Sequence, residues 1–509
     1  MSEEYFSLDD LKQIYDEGLT PEEVSAQLDQ FRMGMKKIRL SRPCLVNDGI
    51  VRVDGAEIAP LAALHDEAAR QGRFMKFVPA SGAASRMFEL WYRALETGEL
   101  DAGEAGREFA RQLKLYAFYD DLERAAKRKG ILPEGEILAG RLARIIDLVL
   151  ADDGLGYGRL PKAMIKFHKY PGGARTPLEE HLVEGAGYLT DENGHCRLHF
   201  TLGKENLEEI EKFIDRIKVI YEQELGVLLD ITISDQRRST NTIAADQFNR
   251  PFRDSQGKLV FRPGGHGSLL ENLEGLDGDI IFIKNIDNVA PERLLPLVIL
   301  YKKVLGGIFL KTEGEVFQLL AMLEEREGKE ANLALVAKYL KEVLQISFPD
   351  AYERMTRQEQ VAFLGRRLAR PLRVCAVVRN EGEPGGGPFF VIDEAGEESI
   401  QIVEEFQVEK GDPKQLNRWS QATHFNPVDM VCGMRNREGK HYCLSDHVDN
   451  AYFGISKKSK DGRDLLALER PGLWNGSMGL WNSILVEVPL STFNPVKTVE
   501  DLLRPQHQA

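Results

Sequence analysis

A chain of 509 residues exceeds the ~250 to 300 at which one hydrophobic core stops growing, so a large domain with added lobes is expected and a small module is excluded. Its 43% hydrophobic and 29% charged residues belong to a globular protein without low-complexity tracts. Sixty-six Lys and Arg stand against 80 Asp and Glu, and the net charge of -14 excludes a surface built to grip nucleic acid or an anionic membrane, so an anionic substrate must meet local basic groups.

The start Met1-Ser2-Glu3-Glu4 has neither the cationic region nor the apolar core of a secretory signal, and no apolar run approaches the ~20 residues that span a bilayer. Cys44, Cys196, Cys375, Cys432 and Cys443 are scattered and odd in number, which fits a reducing, cytoplasmic setting. Cys443 lies near His441 and His447, but ordinary packing outweighs a metal site there.

Leu8, Leu11 and Ile14 at helical spacing, with Thr20-Pro21-Glu22-Glu23 as a helix start, predict a helical N-terminal cap over 1–72. The apolar run from Phe74 to Ala80 predicts a buried strand, followed by a small-residue loop and a helical pattern from Met87. Residues 88–160 read as helices, with Phe109, Leu113, Phe118, Leu122, Leu138, Leu142, Ile145 and Leu148 as apolar stripes. Strands and helices then alternate to Leu310: a strand from Leu198 to Leu202, a helix from Leu207 to Tyr221, strands from Leu229 to Ser234 and Ile280 to Lys284, and a helix from Pro291 to Leu305. That alternation predicts an α/β core over 73–310, a mostly parallel sheet with helices on both faces. A helical segment is expected over 311–370. Strand patterns at 374–378, 389–392 and 400–403 lie in a part, 371–509, that extends the sheet and adds a small mixed lobe.

Four elements carry candidate chemistry. The first is Pro79-Ala80-Ser81-Gly82-Ala83-Ala84-Ser85-Arg86-Met87, a loop between a strand and a helix start. Small residues at Ser81, Gly82, Ala83 and Ser85 let backbone N–H groups reach phosphate oxygens, and Arg86 offers a bidentate contact; a tight turn with a surface arginine competes with that reading. Neither the Walker loop nor the dinucleotide fingerprint is present. The second is Pro161-Lys162-Ala163-Met164, followed by Thr176-Pro177-Leu178-Glu179-Glu180-His181; Lys166, Lys169 and Arg175 compete with Lys162 for phosphate. The third is Arg262-Pro263-Gly264-Gly265-His266-Gly267-Ser268, where glycines permit close backbone approach. The fourth is Ile280-Ile281-Phe282-Ile283-Lys284-Asn285-Ile286-Asp287-Asn288. Open parallel sheets bind ligands beyond the carboxyl ends of strands, where Asp287 stands, and Mg²⁺ favours such oxygen ligands; a turn-closing or helix-capping aspartate is the plainer reading.

In this order the elements resemble those of the sugar-phosphate nucleotidyltransferases and UDP-sugar pyrophosphorylases: a small-residue loop ending in Arg-Met, a Pro-Lys element, a Pro-Leu-x-x-His helix start, a Pro-Gly-x-Gly-like loop and an Asn-x-Asp-Asn strand end. Ala84 stands where many of that family carry glycine, and the helical stretch before Lys162 reads as an insertion, a candidate lid. The whole chain also resembles an uncharacterised bacterial family known only as a domain of unknown function. The resemblance implies a nucleotide-diphospho-sugar transferase-like (GT-A type) fold and a transfer of nucleoside monophosphate from a nucleoside triphosphate to a phosphorylated small molecule, most simply a sugar phosphate. It implies catalytic roles for Arg86, Lys162 and Asp287, nucleotide contacts from Ser81, Gly82, Ala83, Ser85, Gly264, Gly265, His266 and Gly267, and Mg²⁺ on Asp287 and Asp429. Gly385, Gly386, Glu404 and Asn426 would hold the sugar phosphate, whereas Trp474-Asn475 reads as packing. A glycosyltransferase of the same sheet type, or a nucleotide-binding regulator without activity, are the alternatives.

Overall fold

The computed structural model describes residues 6–80, 82, 84–98, 104–324, 330–383, 385–394 and 396–508. By its internal contacts the chain forms two compact units. One comprises 1–64, 236–282 and 305–488, and the other 65–235, 283–304 and 489–509. The division falls inside the strand Ile280–Lys284 and the helix Leu295–Glu324.

In the second unit, Phe74–Pro79, His195–Leu202 and Leu228–Asp235 pair in parallel, each consecutive pair joined through a helix, Pro177–Leu189 or Leu207–Leu225. Parallel neighbours require such crossovers. Phe74–Pro79 is buried along nearly its whole length, as expected of a strand covered on both faces. Within this apolar strand Lys76 is fully buried and donates to Glu184 Oε1 at 3.0 Å, while Lys284 donates to Glu184 Oε2 at 2.6 Å. One carboxylate on helix Pro177–Leu189 therefore ties the middle of one strand to the end of another. Among the described residues the insertion forms the α-helices Glu89–Thr97, Glu104–Gln112, Tyr119–Arg128, Pro133–Leu138 and Leu142–Leu150. They enclose a core of Phe88, Trp91, Phe109, Leu113, Tyr116 and Phe118 that also takes in Val289, Val496, Val499 and Leu502.

In the first unit the strands are mixed. Leu372–Arg379 runs parallel to Asn482–Glu487 but antiparallel to Asp429–Gly433 and His424–Phe425. Two further sheets are antiparallel: Leu40–Pro43 with Gly387–Ile392 and Glu398–Val403, and Asn241–Ala245 with Phe261–Pro263, Gly454–Lys460 and Arg463–Glu469. The mostly parallel sheet expected from alternation thus becomes a mixed α/β fold, because hairpins such as Gly454–Glu469 bring antiparallel strands together without crossovers. Strands at Leu40–Pro43, Leu45–Val46 and Gly49–Val51 also interrupt the N-terminal stretch expected to be helical. Its helices Leu8–Asp16 and Pro21–Met33, opened by capping boxes at Ser7 and Thr20, pack Ile14, Val24, Leu28 and Phe31 against Ile243, Ala245 and Leu468. No helix among the described residues is long and apolar enough to cross a membrane.

Candidate functional site

The second unit gathers four chain segments around Asp287. The strand Ile280–Lys284 ends in a turn closed by the Asn288 N–H on the Asn285 carbonyl. His181, in the first turn of Pro177–Leu189, donates through Nε2 to the Ile286 carbonyl at 3.3 Å. Its ring is fully buried, and burial followed by the Lys76 charge holds it well below the ordinary histidine range, so it is a neutral brace for the turn. The Pro-Leu-x-x-His element therefore positions the strand end.

On this brace Asp287 is only 8% exposed. Its Oδ2 accepts from Lys162 Nζ and from Lys497 Nζ, both at 3.0 Å, and Lys162 also donates to the Val496 carbonyl at 2.9 Å. Burial raises the carboxyl, but the Lys497 and Lys162 ammoniums outweigh it and hold Asp287 below the usual carboxylate range. Lys162 is pushed below the usual lysine range, by burial first and by Lys497 and Arg86 as well, although Asp287 opposes the shift. Arg86 is exposed at the end of the short turn Ala84–Arg86, and the Lys162 N–H reaches the Gly82 carbonyl at 3.4 Å. Two ammoniums therefore hold one carboxylate, and Arg86 is near enough to Lys162 to act on its charge, in a protein whose net charge is -14.

The structure thus brings Lys162 to Asp287 and Arg86 near Lys162, and adds Lys497, which the sequence motifs do not name. Lys497 sits 210 residues from its partner in a segment with no periodic pattern; the one local signal is a lysine two residues after Pro495. The competing cations are engaged elsewhere: Lys166 with Asp121, Lys169 with Asp120 and Arg175 with Glu292. Ser81 and Ala83 lie outside the described residues, as does the side chain of Ser85. Ala84 is fully buried in the helical core, so its methyl group has a packing use that glycine would forfeit.

The first unit assembles the other expected residues. Gly264, Gly265 and Gly267 follow the strand Phe261–Pro263, and Gly265 has φ +73°. A Cβ on Gly267 would lie 2.1 Å from the Pro471 carbonyl oxygen, and one on Gly264 2.7 Å from that of Thr240, so both glycines serve backbone contact within the protein. His266 accepts the Leu473 N–H at Nδ1, which leaves Nε2 protonated and 3.5 Å from Glu404 Oε1. Its ring stacks on Trp474 with centroids 3.9 Å apart, and Asn475 donates to the same Glu404 oxygen at 2.8 Å. Trp474 and Asn475, expected only to pack, thus complete a cluster with two expected site residues. Asn426 donates to the Ala376 carbonyl and accepts the Val428 N–H, and its own N–H meets the Gly386 carbonyl at 2.8 Å. Its amide therefore holds the turn in which Val428 adopts φ +56°, a strained conformation for a β-branched residue. Gly386 is buried beside Ile402 and Glu404, whereas Gly385 is exposed; Asp429 opens the strand Asp429–Gly433 and is buried.

For Mg²⁺ the donor chemistry decides what is possible. Among the described residues no group of three or more His, Cys, Asp or Glu could hold a metal ion. Both lysine pairs of Asp287 fall on Oδ2, and Oδ1 takes part in neither. A single carboxylate oxygen fits an ion that arrives with phosphate ligands of its own, and not an ion caged by the protein.

Residues 7–508 match the model of a family described as a domain of unknown function (DUF4301). No curated protein matches the chain. Among solved structures it is similar to the uridine diphosphate N-acetylglucosamine pyrophosphorylase of Trypanosoma brucei, at 12% identity over 95% of this chain and 74% of that one, with a TM-score of 0.49. It is also similar to the UDP-glucose pyrophosphorylase of Leishmania major, at 12% identity over 98% and 79%, TM-score 0.47. The UDP-glucose phosphorylase of Trypanosoma brucei aligns at 13% identity over 97% and 77%, TM-score 0.45.

Proposed function

The chain belongs to the family described as a domain of unknown function (DUF4301), and because that description names no chemistry, we propose from the site itself that the protein is a nucleotidyltransferase joining a nucleoside triphosphate to a phosphorylated small molecule. The observation that carries this reading is the convergence of Lys162 and Lys497 on Asp287 Oδ2, beside Arg86, at the end of a buried strand. An excess of cations at a strand end suits an anionic ligand, and three of them suit a polyphosphate.

In the proposed reaction an oxygen of the acceptor phosphate attacks the α-phosphorus in line. The bond from that phosphorus to the α,β-bridging oxygen breaks, and pyrophosphate leaves with the electron pair. The attacking phosphate is already ionised, so the protein has little proton transfer to perform, and the barrier is lowered by alignment and by neutralising charge on the leaving group. Lys162, Lys497 and Arg86 supply that neutralisation, while Asp287 orients the two ammoniums. A Mg²⁺ ion entering with the triphosphate would be met by Asp287 and would shield the phosphate oxygens. Within the other unit, considered by itself, His266, Trp474 and Glu404 present polar edges and an aromatic face of the kind that suits a base or a sugar.

The test is pyrophosphate release from mixtures of the common nucleoside triphosphates with pooled sugar phosphates and Mg²⁺. Release that requires both substrates and disappears in Lys162→Ala is expected. Tight triphosphate binding without turnover under any pairing would instead identify a regulator, and neither binding nor turnover would sink the reading.

A further inference from the structure

The last twenty described residues are bound along the second unit by contacts that lie on both sides of Lys497 in the chain. The Asn494 N–H donates to Asn288 Oδ1, the Val496 N–H to the Asp287 carbonyl and the Val499 N–H to the Met87 carbonyl, each at 3.0 Å. Asp501 Oδ2 then accepts the N–H groups of Lys497 and Thr498, at 2.7 and 2.8 Å, and Arg504 pairs with Asp501 Oδ1 at 2.8 Å. Beyond Arg504 the chain reads Pro505-Gln506-His507-Gln508-Ala509, with no large apolar side chain to hold it down.

In this segment His507 is nevertheless buried to 1% exposure. Its Nδ1 lies 2.9 Å from His168 Nε2, the two rings are stacked at 17° with centroids 5.2 Å apart, and His168 Nδ1 donates to Glu180 Oε1 at 2.8 Å. Tyr170 donates to the same Glu180 oxygen at 2.7 Å, and Arg293 donates to the Pro505 carbonyl at 2.7 Å. Glu180 and His168 are themselves buried. Burying three polar groups in line is costly unless each is bonded to the next, so the segment that carries His507 is held by a specific polar clamp.

Lys497 needs such support. Its side chain is 57% exposed, and an ion pair with so exposed a lysine contributes little fixing of its own. We propose that the buried chain Glu180–His168–His507 is a positioning element that seats Lys497 against Asp287, so that the C-terminal segment delivers one of the phosphate-facing cations of the site. The phosphate-binding part of this inference rests on the nucleotidyltransferase reading; the clamp itself does not. Burial pushes His507 down to about 3, with the His168 charge adding to the effect, so its ring stays neutral and available as a hydrogen-bonding partner at ordinary pH.

Two measurements test the clamp in the full chain. Acetylation of individual lysines, followed by mass spectrometry, reads the exposure of Lys497, with the fully buried Lys284 as the control for general unfolding. In His507→Ala, Lys497 should acetylate several-fold faster with Lys284 still protected, and His507→Asn, whose amide can replace Nδ1, should restore the slow rate. Calorimetry with inorganic pyrophosphate reads the consequence. Lys497→Ala should weaken binding roughly ten- to hundredfold, as expected for one charge-assisted hydrogen bond. His507→Ala should approach that loss, and the double variant should be no weaker than Lys497→Ala. Unchanged acetylation of Lys497 in His507→Ala overturns the proposal, as does a double variant whose losses add. Failure of the unaltered protein to bind pyrophosphate, with the acetylation response intact, overturns the phosphate role and leaves the clamp standing.

Discussion

Lys162 and Lys497 stand at the same distance from the same oxygen of Asp287, 3.0 Å, yet removing them should have unequal effects on stability. At that separation two unit charges attract by roughly 5.5 kcal/mol at an effective dielectric constant of about 20, and by about 1.4 kcal/mol in bulk water. Asp287 is common to both pairs, so the lysine's own exposure decides, and that is 12% for Lys162 against 57% for Lys497. After desolvation, the Lys162 pair should show a coupling of about 2 to 3 kcal/mol. The Lys497 pair should show less than about 1 kcal/mol. Double-mutant cycles built from Lys162→Met, Lys497→Met and Asp287→Asn measure both couplings. Hydrogen exchange at the Val496 and Val499 amides is the suitable readout, because it reports opening of the C-terminal segment and does not require a two-unit protein to unfold in one step. Equal couplings, or a larger one for Lys497, would refute the reasoning that burial ranks the two pairs.

The depressed carboxyl of Asp287 contributes stability that is present above its unfolded value and lost as pH falls through its folded value, so the stability gap between the natural protein and Asp287→Asn should close in acid. Equilibrium unfolding across an acid pH series measures that gap. Lys76 has the same sign in an alkaline window: its pKa falls from 10.5 to about 8, so between those values the unfolded chain binds the extra proton and stability should rise with pH. Lys76→Met should flatten that slope in alkaline unfolding curves. Gly267→Ala places a methyl group 2.1 Å from the Pro471 carbonyl oxygen and should displace the loop bearing His266, seen as altered fluorescence of the stacked Trp474. Trp91→Ala removes an aromatic packed against Phe88, Phe109, Tyr116 and Phe118 and should cost about 3 to 5 kcal/mol in denaturant titrations.

The parts of the fold legible in the sequence were those whose cause is local. The strand Ile280–Lys284 matches its expected limits because five successive residues are buried and a polar turn follows at once. The helix Pro177–Leu189 starts where Thr176 and Glu179 form a capping box. Arg86, Lys162 and Asp287 were legible because each lies beside a loop or strand end with its own motif. The sheet joining Asn241–Ala245 to Arg463–Glu469 was not legible, because its pairing partners are more than 200 residues apart and neither strand specifies the other. Lys497 escaped for the same reason. Its role depends on where the chain end is bound, which is set by His507, His168 and Asp501 and not by its neighbours. The glycines at 264 and 267 were legible as a tight loop, but the atoms they accommodate, the carbonyls of Thr240 and Pro471, belong to remote segments.

The helical stretch between Arg86 and Lys162 reads from sequence as a detachable lid, and its packing argues otherwise. A lid must part from its seat, whereas these helices share one apolar interior with Phe88, Ile165, Val289 and Val496, each within a few residues of Arg86, Lys162, Asp287 or Lys497. Opening such an interior would expose aromatic surface and scatter all four charged groups together. Shortening or exchanging this stretch is therefore not a neutral change of decoration: the helices and the charged groups are inherited, or lost, as one piece.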